Sequence, residues 1–552
     1  MGDPLDRRDL FRLGLAAGAS LVLGGALAAC HGGDGKPTLG AHGAVVPPGE
    51  LDELTIAELS QRMAAGTESA VSLWKKYTAR IAAMNEAGPQ LRAVLELDPD
   101  AEAKARALDA ERAAGKLRGP LHGIPMLVKD NLDTGDRMTT TAGSLALAGT
   151  HAAKDSFVVA QLRAAGALVF GKANLSEWAN IRGNPSSSGW SGRGGQCRNP
   201  YALDRSPSGS SSGSAVATAA NLCAAAIGSE TDGSIVAPAS ANALVGLKPT
   251  VGLVSRSGII PISASQDTAG PMTRTVTDAA VILNAIAGPD PADPATTQAH
   301  PLRPTSREDY TRYLDRNALK GARIGVPRKG WFARNRNLDA VAEAALGELE
   351  RLGAILVDPI ELEVPPTLGP AELEVLLTEL KAGLADYLRG RGPDTKVRTL
   401  ADLIAFNKAH AAEELTVFGQ EEFELAEAKG GLTDKAYLDA RATCIELART
   451  QGIDKAMDAN KLDAIFAGTY APVWLIDLIN GDSDGAYGGA LAAVAGYPHI
   501  TVPAGQFRGL PIGISLFGRA FSEGKLLGYA FAYEQASKHR RAPAYRASAL
   551  DR

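Results

Sequence analysis

Between Thr55 and Asn85 the apolar positions recur at helical spacing: Ile56, Leu59 and Met63, then Val71, Leu73, Trp74, Tyr77 and Ile81. Asp98 to Gly115 is charged and alanine-rich and predicts a further helix. Short apolar runs follow. Gly123-Ile-Pro-Met-Leu-Val-Lys129 predicts a strand that ends in a lysine, and Ala167–Phe170 and Ala322–Val326 predict two more strands. The alanine-rich run Ala215–Ala226 and the stretch Asp339–Leu352 predict helices, with Cys223 inside the first. Strands alternating with helices predict an α/β protein with a sheet between helical layers. Pro289 to Pro304 reads as a surface connection. Pro370 to Gly452 reads as mostly helical, a layer added near a cleft. No internal repeat is visible.

Composition adds little to this picture and excludes some functions. The chain has 552 residues, 45% hydrophobic and 22% charged, which is enough for a large core. Its formal net charge of −5, without a basic stripe, argues against nucleic-acid binding. Arg193-Gly-Gly195 occurs once and among apolar-flanked motifs, so it is no RNA-binding repeat.

The N-terminus reads differently from the rest. Arg7-Arg8-Asp9-Leu10-Phe11 has the form of a twin-arginine export signal, followed by a soft apolar run from Leu13 to Ala29. That run is short and weak for a spanning helix. It ends in Leu27-Ala-Ala-Cys30, which has the form of a bacterial lipoprotein cleavage box and would make Cys30 a lipidated first residue. The alternative is a plain signal peptide with Cys30 incidental. Residues 1–29 are thus expected to be a signal peptide, 30–50 a linker and 51–545 the catalytic domain, in an exported protein of the periplasm or cell envelope. Cys197, Cys223 and Cys444 make neither a disulfide framework nor a zinc spacing.

The chemistry concentrates in two serine loops and one lysine. The loops are Pro207-Ser-Gly-Ser-Ser-Ser-Gly-Ser214 and Glu230-Thr-Asp-Gly-Ser-Ile235, and the lysine is Lys129. A serine attacks a carbonyl at neutral pH only with a base to take its proton. A lysine serves as that base only where burial lowers its pKa. Other motifs fail. Asn480-Gly-Asp-Ser-Asp-Gly485 begins like a calcium loop but has Leu491 at its twelfth position. Gly171-Lys172 is followed by Ala173, which rules out a P-loop. His122, seven residues before Lys129, is read as structural.

Taken together these residues resemble the amidase signature family of serine hydrolases. The likeness runs through Leu121-His-Gly-Ile-Pro125, Val128-Lys-Asp-Asn131, Gly171-Lys-Ala-Asn-Leu-Ser-Glu177, Arg198-Asn-Pro-Tyr201, both serine loops and Val245-Gly-Leu-Lys-Pro-Thr250. It extends to Gly496-Tyr-Pro498, Val502-Pro503 and Leu510-Pro-Ile-Gly513, covering roughly residues 50 to 540. Within the family, Ser188-Gly-Trp-Ser-Gly-Arg-Gly-Gly-Gln196, Glu230–Val236 and Ser265-Gln-Asp-Thr-Ala-Gly-Pro271 are most similar to bacterial peptide amidases. The resemblance implies one large mixed β-sheet covered by helices on both faces. It implies a Ser–cis-Ser–Lys triad: Ser234 as nucleophile, Ser210 as the bridging serine after a cis peptide, Lys129 as base. It also implies an oxyanion hole from the amides of Thr231, Asp232, Gly233 and Ser234, donors worth about 3–4 kcal/mol each in the transition state.

No cofactor and no metal are expected. Ser208, Ser212, Glu230 and Asp232 depart from the commonest family pattern, and Asp232 either meets a cationic substrate group or holds its own loop. The expected substrate is a peptide C-terminal carboxamide, cleaved to acid and ammonia. The alternatives are an aryl- or acyl-amidase on small amides, an amidotransferase subunit, and a non-catalytic binding lipoprotein. Trp178, Trp190, the helical layer after Pro370 and the segment Tyr470–Trp474 are expected to shape the pocket.

Overall fold

The computed structural model describes residues 49–305, 308–483 and 485–551. The twin-arginine pair, the apolar run and Cys30 lie outside the described residues.

Eleven strands form one mixed sheet: β1 (Val94–Leu97), β2 (Pro125–Lys129), β3 (Leu168–Ala173), β4 (Ala225–Glu230), β5 (Val245–Lys248), β6 (Thr268–Thr273), β7 (Arg323–Pro327), β8 (Ile355–Ile360), β9 (Ala464–Gly468), β10 (His499–Phe507) and β11 (Leu510–Phe517). Their order across the sheet is β1-β3-β2-β4-β6-β5-β10-β11-β9-β7-β8. The trio β3-β2-β4 is parallel, as is β9-β7-β8, and the strands between them pair antiparallel. Parallel strands covered by helices are buried on both faces and read as unbroken apolar runs. β2 fits this rule, being buried at all five positions, with Lys129 at its end. Helices Phe157–Ala164 and Ser212–Ala219 pack on this part of the sheet, and Glu523–Ser537 packs on β10.

Local chemistry accounts for where the helices begin and end. The expected stretch from Thr55 to Asn85 is two helices, Ile56–Ala64 and Ala70–Met84. Thr55 and Glu58 form a capping box at the first, and Ser69 and Ser72 do the same at the second. Gly66, at φ +72°, makes the break between them. The alanine-rich run is also shorter as a helix than its composition predicts. It is helical only over Ser212–Ala219, Asn221 turns left-handed at φ +57°, and Ala225 opens β4. Cys223 therefore lies after the helix, not in it. The expected helical layer is present as Leu368–Gly390, Leu400–Ala409, Glu421–Glu427 and Lys435–Ile445.

The centre of the sheet depends on glycine. Gly228 of β4 faces Gly270 of β6. A Cβ built on Gly270 would sit 2.0 Å from the Leu247 carbonyl oxygen. That contact is with backbone in a neighbouring strand, which cannot swing aside. Gly270→Ala is therefore expected to destabilise the protein by about 1–3 kcal/mol or more, as overpacking does. Thermal unfolding checks this, and a melting temperature equal to wild type contradicts it.

Candidate active site

Lys129 enters the site from the end of β2 and is fully buried. Its Nζ lies 2.8 Å from Ser210 Oγ, 3.0 Å from Ser229 Oγ and 3.2 Å from the Ser229 carbonyl oxygen. Hydroxyls and a carbonyl thus surround the amine, with no carboxylate bonded to it among the described residues. Burial disfavours the charged form and lowers the Lys129 pKa from 10.5 to about 7, with Asp267 and Glu230 pulling weakly the other way. Between those values the unfolded chain holds the proton and the folded chain does not, so this site favours folding more as pH rises.

The peptide bond between Gly209 and Ser210 is cis. Ser210 is fully buried, while Ser234 keeps 9% of its surface exposed, and both line one cavity of about 330 Å³. The loop carrying Ser234 is held from below by Glu230. Its Oε2 accepts the amides of Ile235 at 2.7 Å and Val236 at 3.0 Å. Gly233 makes the turn at φ +78°. The Ser234 carbonyl accepts the Ser211 amide at 3.1 Å, tying the two serine loops together. Asp232 faces inward, where its Oδ1 accepts the Tyr487 hydroxyl at 2.9 Å. That partner lies 255 residues away along the chain, not in the loop itself.

The cavity has an apolar wall, Ile259 to Ile262, opposite Ala382, Gly383 and Leu432 of the helical layer. Two acids pin its rim. Asp267 accepts Thr231 Oγ1 at 2.5 Å and the amides of Ile262 and Ser263, and its pKa is raised by burial to about 6. Glu379 accepts Ser263 Oγ, Ser265 Oγ and the Tyr437 hydroxyl at 2.6, 2.5 and 2.7 Å, clamping the helical layer to this wall. Arg256 at the edge is spent on Asp293. Ala292 and Asp293 also line the cavity, so the connection after Pro289 is part of the site's wall as well as surface.

Of the expected pocket-shaping residues, only the helical layer lines this cavity. Trp178 and Trp190 are buried away from it, edge-on to Phe423 and Phe418. Trp474 donates its indole N–H to Asp482 at 2.9 Å, and Asp482 also accepts Ser188, so that acid serves the protein's own groups. His122 is buried, with Nε2 2.9 Å from the Leu108 carbonyl oxygen. Arg193 pairs with Glu96 and Asp130. Cys197, Cys223 and Cys444 are free and buried.

Ser229 and Asp267 are the site residues that the motif reading missed. Ser229 also accepts Asn131 Nδ2 at 2.9 Å, so it orients both Asn131 and Lys129. Strand alternation puts Ser229 on the same face as Ile227, but that face means something only once β4 is known to pair with β2.

Comparison with known proteins places this architecture. The family described as Amidase matches residues 73–527. The chain belongs to the amidase signature family. It is therefore an amide hydrolase, on the expected fold. The crystal structure of native peptide amidase from Stenotrophomonas maltophilia is 52% identical, with a TM-score of 0.86 over 90% of this chain and 100% of that one. A probable amidase of Arabidopsis thaliana is 43% identical over 84% of this chain and 86% of its own length. A glutamyl-tRNA(Gln) amidotransferase subunit of Ralstonia pickettii is 36% identical over 89% of this chain and 99% of its own length.

Proposed function

We propose that this amidase removes ammonia from the C-terminal carboxamide of short peptides, with Ser234 as nucleophile, Ser210 as relay and Lys129 as base. The observation that carries the reading is the 2.8 Å approach of a buried lysine to Ser210 beside the cavity that Ser234 lines. The neutral amine takes the Ser210 proton as Ser210 takes that of Ser234, and Ser234 Oγ attacks the carbonyl. The amides of Thr231, Asp232, Gly233 and Ser234 stabilise the oxyanion as it forms. The proton returns through Ser210 to the departing nitrogen, and ammonia leaves. Water then repeats the sequence on the acyl-enzyme.

The peptide part of the proposal draws on the likeness to the Stenotrophomonas peptide amidase and on a cavity with one long apolar wall. A second reading, ammonia supply from glutamine, draws on the Ralstonia relative. Export through Arg7-Arg8 and anchoring through Cys30 belong to the same proposal. Arg7→Lys with Arg8→Lys should strand the protein inside the cell, and Cys30→Ala should free it from membranes. Membrane association unchanged in Cys30→Ala rules out the lipid anchor.

Ser234→Ala should fold and lose nearly all turnover. Lys129→Ala and Ser210→Ala should each cost heavily, and the double variant should fall far short of the product of the two losses, because groups acting as a unit are non-additive. Multiplicative losses would separate the two residues. Wild-type kcat/KM should fall on the acid side with a midpoint near the Lys129 value of about 7.

Ammonia release compared across an N-protected dipeptide amide, an anilide and free glutamine tests the substrate. The dipeptide amide should lead in kcat/KM. Preference for the anilide by about tenfold, or about 1.4 kcal/mol, moves the assignment to an aryl acylamidase. Preference for glutamine moves it to the second reading.

A further inference from the structure

Asp232 stands in the loop that carries Ser234. Its carboxyl is hydrogen-bonded to that of Glu372, from the second turn of the helix Leu368–Gly390. Two carboxylates cannot hydrogen-bond each other, because each only accepts, so the contact requires one proton between them. The surroundings complete the chain. The Tyr487 hydroxyl donates to Asp232 Oδ1 at 2.9 Å, and Gln266 Nε2 donates to Glu372 Oε1 at 2.8 Å. Gln266 Nε2 also lies 3.3 Å from the Thr231 carbonyl oxygen, one residue from Asp232. With Asp232 protonated and donating to an ionised Glu372, every one of these bonds has a donor and an acceptor.

We propose that Asp232 and Glu372 share one proton, and that the pair positions the Ser234 loop for catalysis, so that activity falls at alkaline pH when the proton leaves. The inference rests on Ser234 as the nucleophile. Loss of the proton sets two carboxylates side by side. Their repulsion pushes the loop away from the helical layer and spoils the alignment of the Thr231 to Ser234 amides. The groups facing the pair agree with this. Burial raises the Asp232 pKa most, Glu372 and Glu230 raise it further, and the Tyr487 bond lowers it. Lys248 is the cation that senses Asp232, and burial lowers its own pKa to about 8. Cys444 is pushed up by burial and by Glu372. Asp232 and Glu372 are positioning residues here, acting through the loop.

The pH profile of kcat/KM on a peptide amide separates this role from simple packing. Wild type should lose activity on the alkaline side of its optimum. Glu372→Gln keeps the contact without a shared proton, since Gln donates to an ionised Asp232. It should hold neutral-pH kcat/KM within about threefold and lack the alkaline limb. Asp232→Asn, whatever its basal rate, should also lack that limb. The acid limb should stay in both. In wild-type protein, hydrogen exchange at the amides of Thr231 to Ser234 should speed up across the alkaline limb beyond the base-catalysed rise seen in the rest of the sheet. A wild-type profile flat on the alkaline side, a limb that persists in either variant, or unchanged relative protection overturns the pair. Wild type inert on the peptide amide at neutral pH overturns the substrate reading instead.

Discussion

The active site depends on a lysine amine kept inside the sheet among hydroxyls. An ammonium taken out of water without a counter-ion gives up its proton before it will stay buried. Ser210, Ser229 and the Ser229 carbonyl fill the space around Lys129, and the nearby acids Asp267 and Glu230 are bonded elsewhere. Lys172 differs in its partners. It is equally buried, and burial lowers its pKa too, with Asp130 and Asp133 pulling the other way, but its amine is bonded to the Leu132 carbonyl and Thr140. The fold thus turns one buried lysine toward the serine loops and another toward Leu132 and Thr140, on strands that are neighbours in the sheet.

The rest of the site holds two serine loops against each other beside Lys129. The Ser211 amide reaches the Ser234 carbonyl, and Glu230 fixes the start of the helix after Ser234. Asp267 and Glu379 then lock the cavity's apolar wall to the Ser234 loop and to the helical layer. Acids dominate these contacts, and each is matched to hydroxyls or amides. The cavity can therefore stay acidic without placing an anion on Lys129.

Much of this was legible before the fold. The run ending in Lys129 predicted a buried strand, and the serine loops carried the family motif. The helical layer after Pro370 was visible as composition. The misreadings have physical causes. The run Ala215–Ala226 looks uniformly helical because alanine tolerates both states, and the left-handed Asn221 that ends the helix leaves no apolar signature. Trp178 and Trp190 are large aromatics near the motifs, yet Trp178 fills the core under the helical layer and Trp190 packs against Phe418. Ser229, Asp267 and Glu379 were hidden because their value lies in partners 18 to more than 100 residues away in the chain. Motif reading sees neighbours in sequence, and these residues act across it.

Burial lets Lys129 give up its proton near neutral pH in the folded enzyme. Direct NMR titration of the lysine side-chain ammonium resonances, with Lys129→Arg to assign the site, measures it most plainly. A Lys129 resonance that titrates near 7 is the predicted result. A resonance that stays charged until pH approaches the ordinary lysine value of about 10.4 would contradict the account.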